Sequence, residues 1–130
     1  MKKILLVITL LFLTSLPLFS RPTVVITDFQ SSEFHSRYRQ DVTAYFSHYF
    51  VKSQRVSVVE RSRLQDVLSE LRLSASDLFS RENAVRVGKL LSARYVLTGT
   101  LSEKTAGILV IHARIIDIEQ GIIKNSSVRE

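Results

Sequence analysis

The chain has 130 residues, no cysteine and a formal net charge of +6, and these values exclude several classes of protein. The length indicates a single domain. Without cysteine there is neither a disulfide nor a thiolate metal site. The mild basic charge comes without a basic run interleaved with aromatic residues, so the sequence does not indicate a nucleic-acid-binding protein.

The first twenty residues have the layout of a secretory signal peptide. Two lysines precede an uncharged, largely apolar run at residues 4–19, and Ser20 follows at the expected cleavage point. The run is shorter than the ~20 apolar residues of a typical membrane span. We therefore expect a signal peptide at residues 1–20, a folded domain at residues 21–130 and a periplasmic location, with a retained anchor or outer-membrane association as alternatives.

The first predicted strand, TVVITDF at residues 23–29, is short and rich in β-branched residues. A helix is predicted after it, because apolar and aromatic residues recur at spacings of three and four. These residues are Phe34, Tyr38, Val42, Tyr45, Phe46 and Tyr49. We expect this aromatic face to pack into the core and Ser32 to cap the helix.

The second predicted strand, RVSVV at residues 55–59, runs directly into a second helix. Leucine and valine at spacings of three and four form its apolar face, and Ser62 with Gln65 fits a capping box at its start. After a break at SASD, a third helix is predicted at about residues 81–91, with Ser80 as its cap.

Three further strands are predicted in quick succession at residues 94–102, 107–118 and 121–128. Gly107 and Gly121 stand at the two connections, where turns need a permissive backbone. The order of elements is β-α-β-α-α-β-β-β. We therefore predict an α/β fold (α+β-like) with a mixed five-stranded sheet and about three helices. Its first two strands are parallel, and its last three form an antiparallel meander.

The sequence offers no recognisable catalytic centre. His35, His48 and His112 do not fall at metal-ligand spacings, and the chain has neither a phosphate-binding glycine loop nor a nucleophile motif. We therefore predict no catalytic, cofactor-binding or metal-ligating residue, no cofactor and no enzymatic activity.

Carboxylates end the first two predicted strands, Asp28 the first and Glu60 the second. Adjacent parallel strands would bring both to one sheet edge, where open α/β sheets place ligand sites. Arg61 could bridge them and fix the strand-to-helix corner. We favour this structural ion pair, and a small-ligand or enzymatic site remains the alternative. Removing Arg61 should cost between the ~0–1 kcal/mol of an exposed pair and the ~3–5 kcal/mol of a buried one.

Four blocks of the sequence together resemble the CsgG family, the curli production assembly/transport components. The blocks are VVITDF (24–29), VSVVERSRLQDVLSELRLSASD (56–77), AVRVGKLLSARYVLTGTLSE (84–103) and ARIIDIEQGII (113–123). They keep the order of the family pattern and cover nearly all of the predicted domain. The resemblance implies a periplasmic α/β domain related to LpoB and to the N-terminal domain of TolB.

Three positions carry over from this resemblance as structural or interaction residues. Glu60 and Arg61 match the family's strand-to-helix signature, and Gly99 matches a family glycine inside a strand, where it permits a bulge or a close helix approach. The family's pore function is not carried over. The connection at residues 102–107 is tight, no spare hairpin of membrane-spanning length is present, and the lipid-bearing cysteine is missing.

These observations lead to one functional hypothesis with two rivals. We expect an exported, non-enzymatic envelope accessory domain that acts by protein–protein contact in secretion or cell-envelope assembly. Its partner is expected to be another envelope protein, and neither nucleic acid nor a small-molecule substrate is expected. The rivals are a ligand-binding or enzymatic site at the Asp28/Glu60 edge and a subunit of a homo-oligomeric ring.

Overall fold

The computed structural model describes residues 20–31, 36–105 and 107–129. The strands are β1 (Thr23–Ile26), β2 (Gln30–Ser31), β3 (Ser57–Val58), β4 (Tyr95–Thr105), β5 (Ile108–Asp117) and β6 (Ile122–Arg129). The helices are α1 (Ser36–Ser53), α2 (Arg61–Leu71), a 3-10 helix (Ala75–Phe79) and α3 (Arg81–Leu90). The predicted leader at residues 4–19, Ser32, Phe34 and His35 lie outside the described residues. Within those ranges, no helix is long and apolar enough to cross a membrane.

A mixed sheet forms the centre of the fold, with strand order β3-β1-β4-β5-β6. β1 pairs in parallel with both β3 and β4, whereas β4, β5 and β6 pair antiparallel. The predicted fold class, the parallel first pair and the C-terminal meander are therefore confirmed. Gly107 and Gly121 lie in the two turns of the meander with φ of 87° and 61°, values that glycine adopts without strain.

The first two strands are shorter than predicted, and β2 is an additional short strand. β1 ends at Ile26 rather than at Phe29, because the chain bends and rejoins the sheet as β2 opposite Thr100. The bend places the side chain of Phe29 on the sheet surface, where it is fully buried. β3 contains only two residues, since α2 already begins at Arg61.

The helix caps differ from the prediction at α2 and agree with it at α3. Glu60 is the N-cap of α2 with extended backbone, and no side chain caps the helix. The predicted capping box of Ser62 and Gln65 is therefore wrong, because the helix starts two residues earlier than a cap at Ser62 requires, and Ser62 lies inside its first turn. Ser80 caps α3 as predicted and accepts a hydrogen bond from the backbone N–H of Asn83 at 3.5 Å.

The SASD segment, predicted as a break, starts the 3-10 helix instead. The backbone N–H of Ser74 donates to Asp77 Oδ2 at 2.7 Å, and its hydroxyl donates to the same oxygen at 2.8 Å. These hydrogen bonds favour the charged carboxylate and lower the pKa of Asp77 below its ordinary value. The 3-10 helix carries the fully buried Leu78 into the core.

The main core lies between the sheet and a helical layer made of α2, the 3-10 helix and α3. Val25, Val96 and Ile116 stand side by side across β1, β4 and β5, and all three are fully buried. The helical side of this core contains Leu64, Leu68, Leu78, Ala84 and Val87. Fully burying one such aliphatic side chain contributes ~1.5–3 kcal/mol, so this face of the sheet holds the principal hydrophobic core.

The opposite face of the sheet is covered by α1, which packs mainly against β1, β2 and β3. Phe46 stacks on Phe29 with ring centroids 5.2 Å apart and an interplanar angle of 8°. The buried hydroxyl of Thr43 accepts a hydrogen bond from the backbone N–H of Phe29 at 3.2 Å and donates to the carbonyl of Arg39 at 2.9 Å. Thr43 and Phe46 therefore form the contact face of α1.

The predicted burial of the aromatic face of α1 is wrong for its tyrosines. Tyr38, Tyr45 and Tyr49 expose 47%, 68% and 60% of their surface. The helix is rotated so that Thr43 and Phe46 contact the sheet, and the tyrosines lie on a different side of the helix. Because α1 packs on the β1 side, the part of the sheet next to β5 offers them no covering helix among the described residues.

Candidate functional site

The predicted Asp28/Glu60 edge contains an ion pair between Asp28 and Arg61. Arg61 Nη2 donates to Asp28 Oδ2 at 2.7 Å. The contact is possible because Arg61 is the first residue of α2, where the chain has already turned away from β3. Glu60 is exposed, and its carboxylate forms no ion pair within the described residues. The roles of these residues as structural or interaction positions stay a prediction.

A cavity of about 220 Å³ lies beside this ion pair. Its polar lining includes Thr43, Ser47 and Gln65, but the hydroxyl of Ser47 already donates to the carbonyl of Thr43 at 2.9 Å. Pockets that hold small molecules usually measure ~300–1,000 Å³. The parts of the chain that the structure describes contain no group of three acidic or histidine side chains placed to hold a metal ion. Few of the described polar groups at this edge are therefore free to bind a ligand.

Replacing Arg61 by alanine is expected to lower the free energy of unfolding by only about 0–1 kcal/mol. The side chains of Arg61 and Asp28 are 62% and 28% exposed, so water screens the pair and solvates Asp28 when its partner is removed. The exposure moves the expectation to the lower end of the range predicted from sequence. Urea unfolding of Arg61→Ala, Asp28→Asn and the double variant measures the coupling. A coupling above ~2 kcal/mol would contradict this account.

The close approach of the Phe29 ring explains why position 99 is a glycine. The sequence predicted instead a bulge or a close helix at this position. A Cβ at this position would lie 2.2 Å from Cε1 of Phe29 and 2.5 Å from the carbonyl oxygen of His112. No register shift occurs here, because Gly99 pairs regularly with Ala113. One contact thus links two separate features of the sequence, the Phe that ends VVITDF and the glycine of LTGT.

A buried ion pair that the sequence reasoning missed joins the start of β4 to the end of β5. Asp117 is fully buried, and its Oδ2 accepts a hydrogen bond from Arg94 Nη2 at 3.1 Å. Its Oδ1 accepts from the backbone N–H groups of Glu119 and Gln120, each at 3.1 Å. Arg94 also pairs with the carboxylate of Glu119. The sequence feature that indicates this pair is Asp117 itself, an acidic residue at the end of an apolar run and just before the turn at Gly121.

An open apolar groove of about 800 Å³ lies between α1 and β5. It is lined by Asp41, Val42, Tyr45, Phe46, Tyr49, Ile111 and Ala113. We refer to this groove together with the exposed tyrosines 38, 45 and 49 as the tyrosine face. Tyrosine combines a large apolar ring with a polar hydroxyl, and for this reason it is enriched at protein interfaces. The aromatic stripe in the sequence is the signal for this face, but its helical spacing alone predicts burial in the core.

The fold and these sites define a small α/β domain with a structural ion-pair network and an exposed aromatic face. A sequence profile of the family described as "Curli production assembly/transport component CsgG" matches residues 15–106. The match spans more than half of the chain, and the chain belongs to the CsgG family. No curated protein sequence matches it.

Solved structures show the same fold at low sequence identity. The LpoB C-terminal domain from Salmonella enterica is 17% identical with a TM-score of 0.72, covering 91% of this chain and 87% of that one. Lipoprotein GNA1162 from Neisseria meningitidis is 13% identical with a TM-score of 0.68, covering 82% and 77%. The PelC dodecamer from Paraburkholderia phytofirmans is 14% identical with a TM-score of 0.53, covering 84% and 69%. The expected relation of the fold to LpoB is thereby confirmed.

Proposed function

We propose that the chain is an exported, non-enzymatic accessory domain of the cell envelope that acts by contact with protein during secretion or envelope assembly. The observation that carries this proposal is the tyrosine face, in which the exposed Tyr45 and Tyr49 line an open groove and Tyr38 is exposed on the same helix. Membership of a family described as an assembly and transport component supports the envelope setting. The signal-peptide layout of residues 1–20 supports export.

The chemistry of the tyrosine face favours a protein partner with an apolar surface. Its walls are aliphatic and aromatic, and Asp41 is the one charged residue among the described side chains that line the groove. Tyrosine side chains offer large contact areas at a low cost in conformational entropy, which suits recognition of protein surfaces. Contiguous exposed apolar surface of this kind marks interaction sites in soluble domains.

The enzymatic alternative at the Asp28/Glu60 edge has weaker support from the geometry. Asp28 is engaged by Arg61, and the adjoining cavity is small and has its hydroxyls occupied by backbone partners. Among the residues that the structure describes, neither a nucleophile–base pair nor a second carboxylate joins Asp28 there. A contact function therefore fits the described residues better than acid–base chemistry.

Photocrosslinking in the envelope tests this proposal. A benzophenone amino acid placed at Tyr45 in the exported protein is expected to form adducts with protein after irradiation. The matched control is the same probe at Glu70, which is exposed on α2 in the other helical layer. Protein adducts at position 45 but not at position 70 support a contact function of the tyrosine face. Equal or absent adducts at both positions contradict it.

A further inference from the structure

Two rows of side chains lie next to each other on the face of the sheet that the helical layer covers. The first row is apolar and belongs to the main core, and it consists of Val25, Val96 and Ile116. Side chains two residues apart along a strand share one face of a sheet. Two residues past each valine, and two residues before the isoleucine, the same face carries a second row of Thr27, Thr98 and Arg114. A polar row therefore adjoins the core directly.

Thr27 remains in register with β4 although β1 ends at Ile26. Its backbone N–H donates to the carbonyl of Leu97 at 3.0 Å, which continues the pairing of Ile26 with Leu97. Thr98 in turn pairs with Arg114 across the antiparallel ladder. Neighbouring strands are ~4.8 Å apart. The two threonines are therefore close neighbours, and Arg114 starts from the next strand.

This polar row contains three buried atoms without a protein partner. Thr27 and Thr98 are fully buried, and among the described residues no group forms a hydrogen bond with either hydroxyl. Arg114 Nε is buried and unpartnered in the same way. Burying a polar group without a hydrogen bond costs free energy, and nearly all such groups in folded proteins bond to protein or to ordered water. The row therefore requires a hydrogen-bonding occupant.

The contacts of the guanidinium group show where the side chain of Arg114 runs. Its Nη2 donates to the carbonyl of Phe79, and the guanidinium lies over the Phe79 ring at 4.4 Å from the centroid. Phe79 ends the 3-10 helix, which packs against β4. The side chain of Arg114 therefore reaches from β5 towards β4, and this direction brings its Nε to the Thr98 side of the row.

We propose that an internal water molecule occupies this row, accepting from Arg114 Nε and donating to the hydroxyl oxygens of Thr98 and Thr27. Buried waters typically make about three hydrogen bonds to polar groups of this kind. With hydrogen bonds of ~2.8 Å on each side, one water bridges oxygens ~4.5–5 Å apart, which matches the spacing of neighbouring strands. The water joins β1, β4 and β5 and holds Arg114 where it contacts the 3-10 helix.

The chemistry of the row favours water over an anion or a larger ligand. Each threonine hydroxyl can both donate and accept a hydrogen bond, and water can do the same, whereas a halide can only accept. Because both threonines are fully buried, a partner protein cannot reach them. The inference is independent of the tyrosine face, which lies on the opposite side of the sheet.

A crystal structure of the protein purified after export tests the site directly. We expect an ordered water within hydrogen-bond distance of Arg114 Nε, Thr98 Oγ1 and Thr27 Oγ1. The adjoining apolar row is the internal control, because no water is expected beside Val96. Direct hydrogen bonds from both hydroxyls to protein groups would overturn the proposal. A bromide peak at this position in crystals soaked with bromide would overturn it too, because it would identify an anion site.

The direction of one stability change provides a second test. Thr98→Val keeps the shape of the side chain and removes its hydroxyl, so it is expected to lower the urea midpoint of unfolding, because the water loses a partner. A hydroxyl without any partner would give the opposite result, since its removal relieves an unsatisfied buried group. Thr27→Val is also expected to lower the midpoint. The double variant should lose less stability than the sum of the two, because both substitutions act on one water.

Thr43→Val is the matched control for this pair. The hydroxyl of Thr43 bonds directly to protein groups on the other face of the sheet, so its loss should add to that of Thr98→Val. A raised or unchanged midpoint for Thr98→Val contradicts the proposal. Strictly additive losses for Thr27→Val and Thr98→Val also contradict it, because they would show that the two hydroxyls share no water.

Discussion

Asp117→Ala is expected to lower the free energy of unfolding by roughly 3–5 kcal/mol, the cost of breaking a buried ion pair by removing one partner. The substitution leaves two backbone N–H groups in the turn after β5 without their acceptor, and it removes the buried counter-charge of Arg94. Because Arg94 anchors the start of β4 to this turn, the loss acts on the centre of the sheet. Urea unfolding followed by circular dichroism measures it.

The control for this prediction is Glu119, the second carboxylate that pairs with Arg94. Glu119 pairs with Arg94 but its side chain is 71% exposed, so Glu119→Ala is expected to cost only about 0–1 kcal/mol. Asp117→Asn keeps the shape and one acceptor oxygen and should recover part of the loss. Equal destabilisation by Asp117→Ala and Glu119→Ala would show that the burial of Asp117 does not determine its contribution.

Gly99→Ala is expected to destabilise the protein by about 2–3 kcal/mol or more, the upper range for adding a methyl group to a packed interior. The new Cβ would overlap Phe29 at 2.2 Å and the backbone carbonyl of His112 at 2.5 Å. Phe29 is fully buried and stacked on Phe46, so the ring has little room to withdraw. The same urea unfolding assay measures the loss.

A second glycine provides the comparison. At Gly88 the atoms nearest to an added Cβ are side-chain atoms of Ile118, the closest at 2.6 Å. A side chain can shift more readily than a backbone carbonyl, and alanine is also the better helix former. Gly88→Ala should therefore cost clearly less than Gly99→Ala. Combining Gly99→Ala with Phe29→Leu should relieve part of the strain, although the contact with His112 remains. Additive losses in this double variant would contradict the assigned contact.

The sequence was sufficient for those features of the fold that depend on local pattern and on the order of elements. Alternating and β-branched runs with glycine at the turns predicted the meander of β4, β5 and β6, and the helix between the first two strands predicted the parallel pairing of β1 and β3. Ser80 was recognised as a cap because its hydroxyl precedes a clear helical repeat. The family blocks also depend on local pattern, since each contains at least one end of a strand or helix.

Features that depend on the relative placement of elements could not be predicted in this way. The helical wheel showed that Tyr38, Tyr45 and Tyr49 share one side of α1, but it could not show that Phe46 and Thr43 would contact the sheet. The pairing of Arg94 with Asp117 arises only from the antiparallel register of β4 and β5, across 23 positions of sequence. The need for glycine at position 99 also depends on the relative placement of elements, because the bend after β1 brings Phe29 against it.

The central claim, that the tyrosine face is covered by protein in the envelope, is tested most directly by the accessibility of position 45. Because the chain has no cysteine, Tyr45→Cys and the control Glu70→Cys each introduce a single thiol. Maleimide labelling rates are compared between intact envelopes and the purified protein at high dilution. Slow labelling of position 45 in the envelope, with fast labelling after purification and no difference at position 70, is the predicted result. Equally fast labelling of position 45 in both samples would contradict the claim.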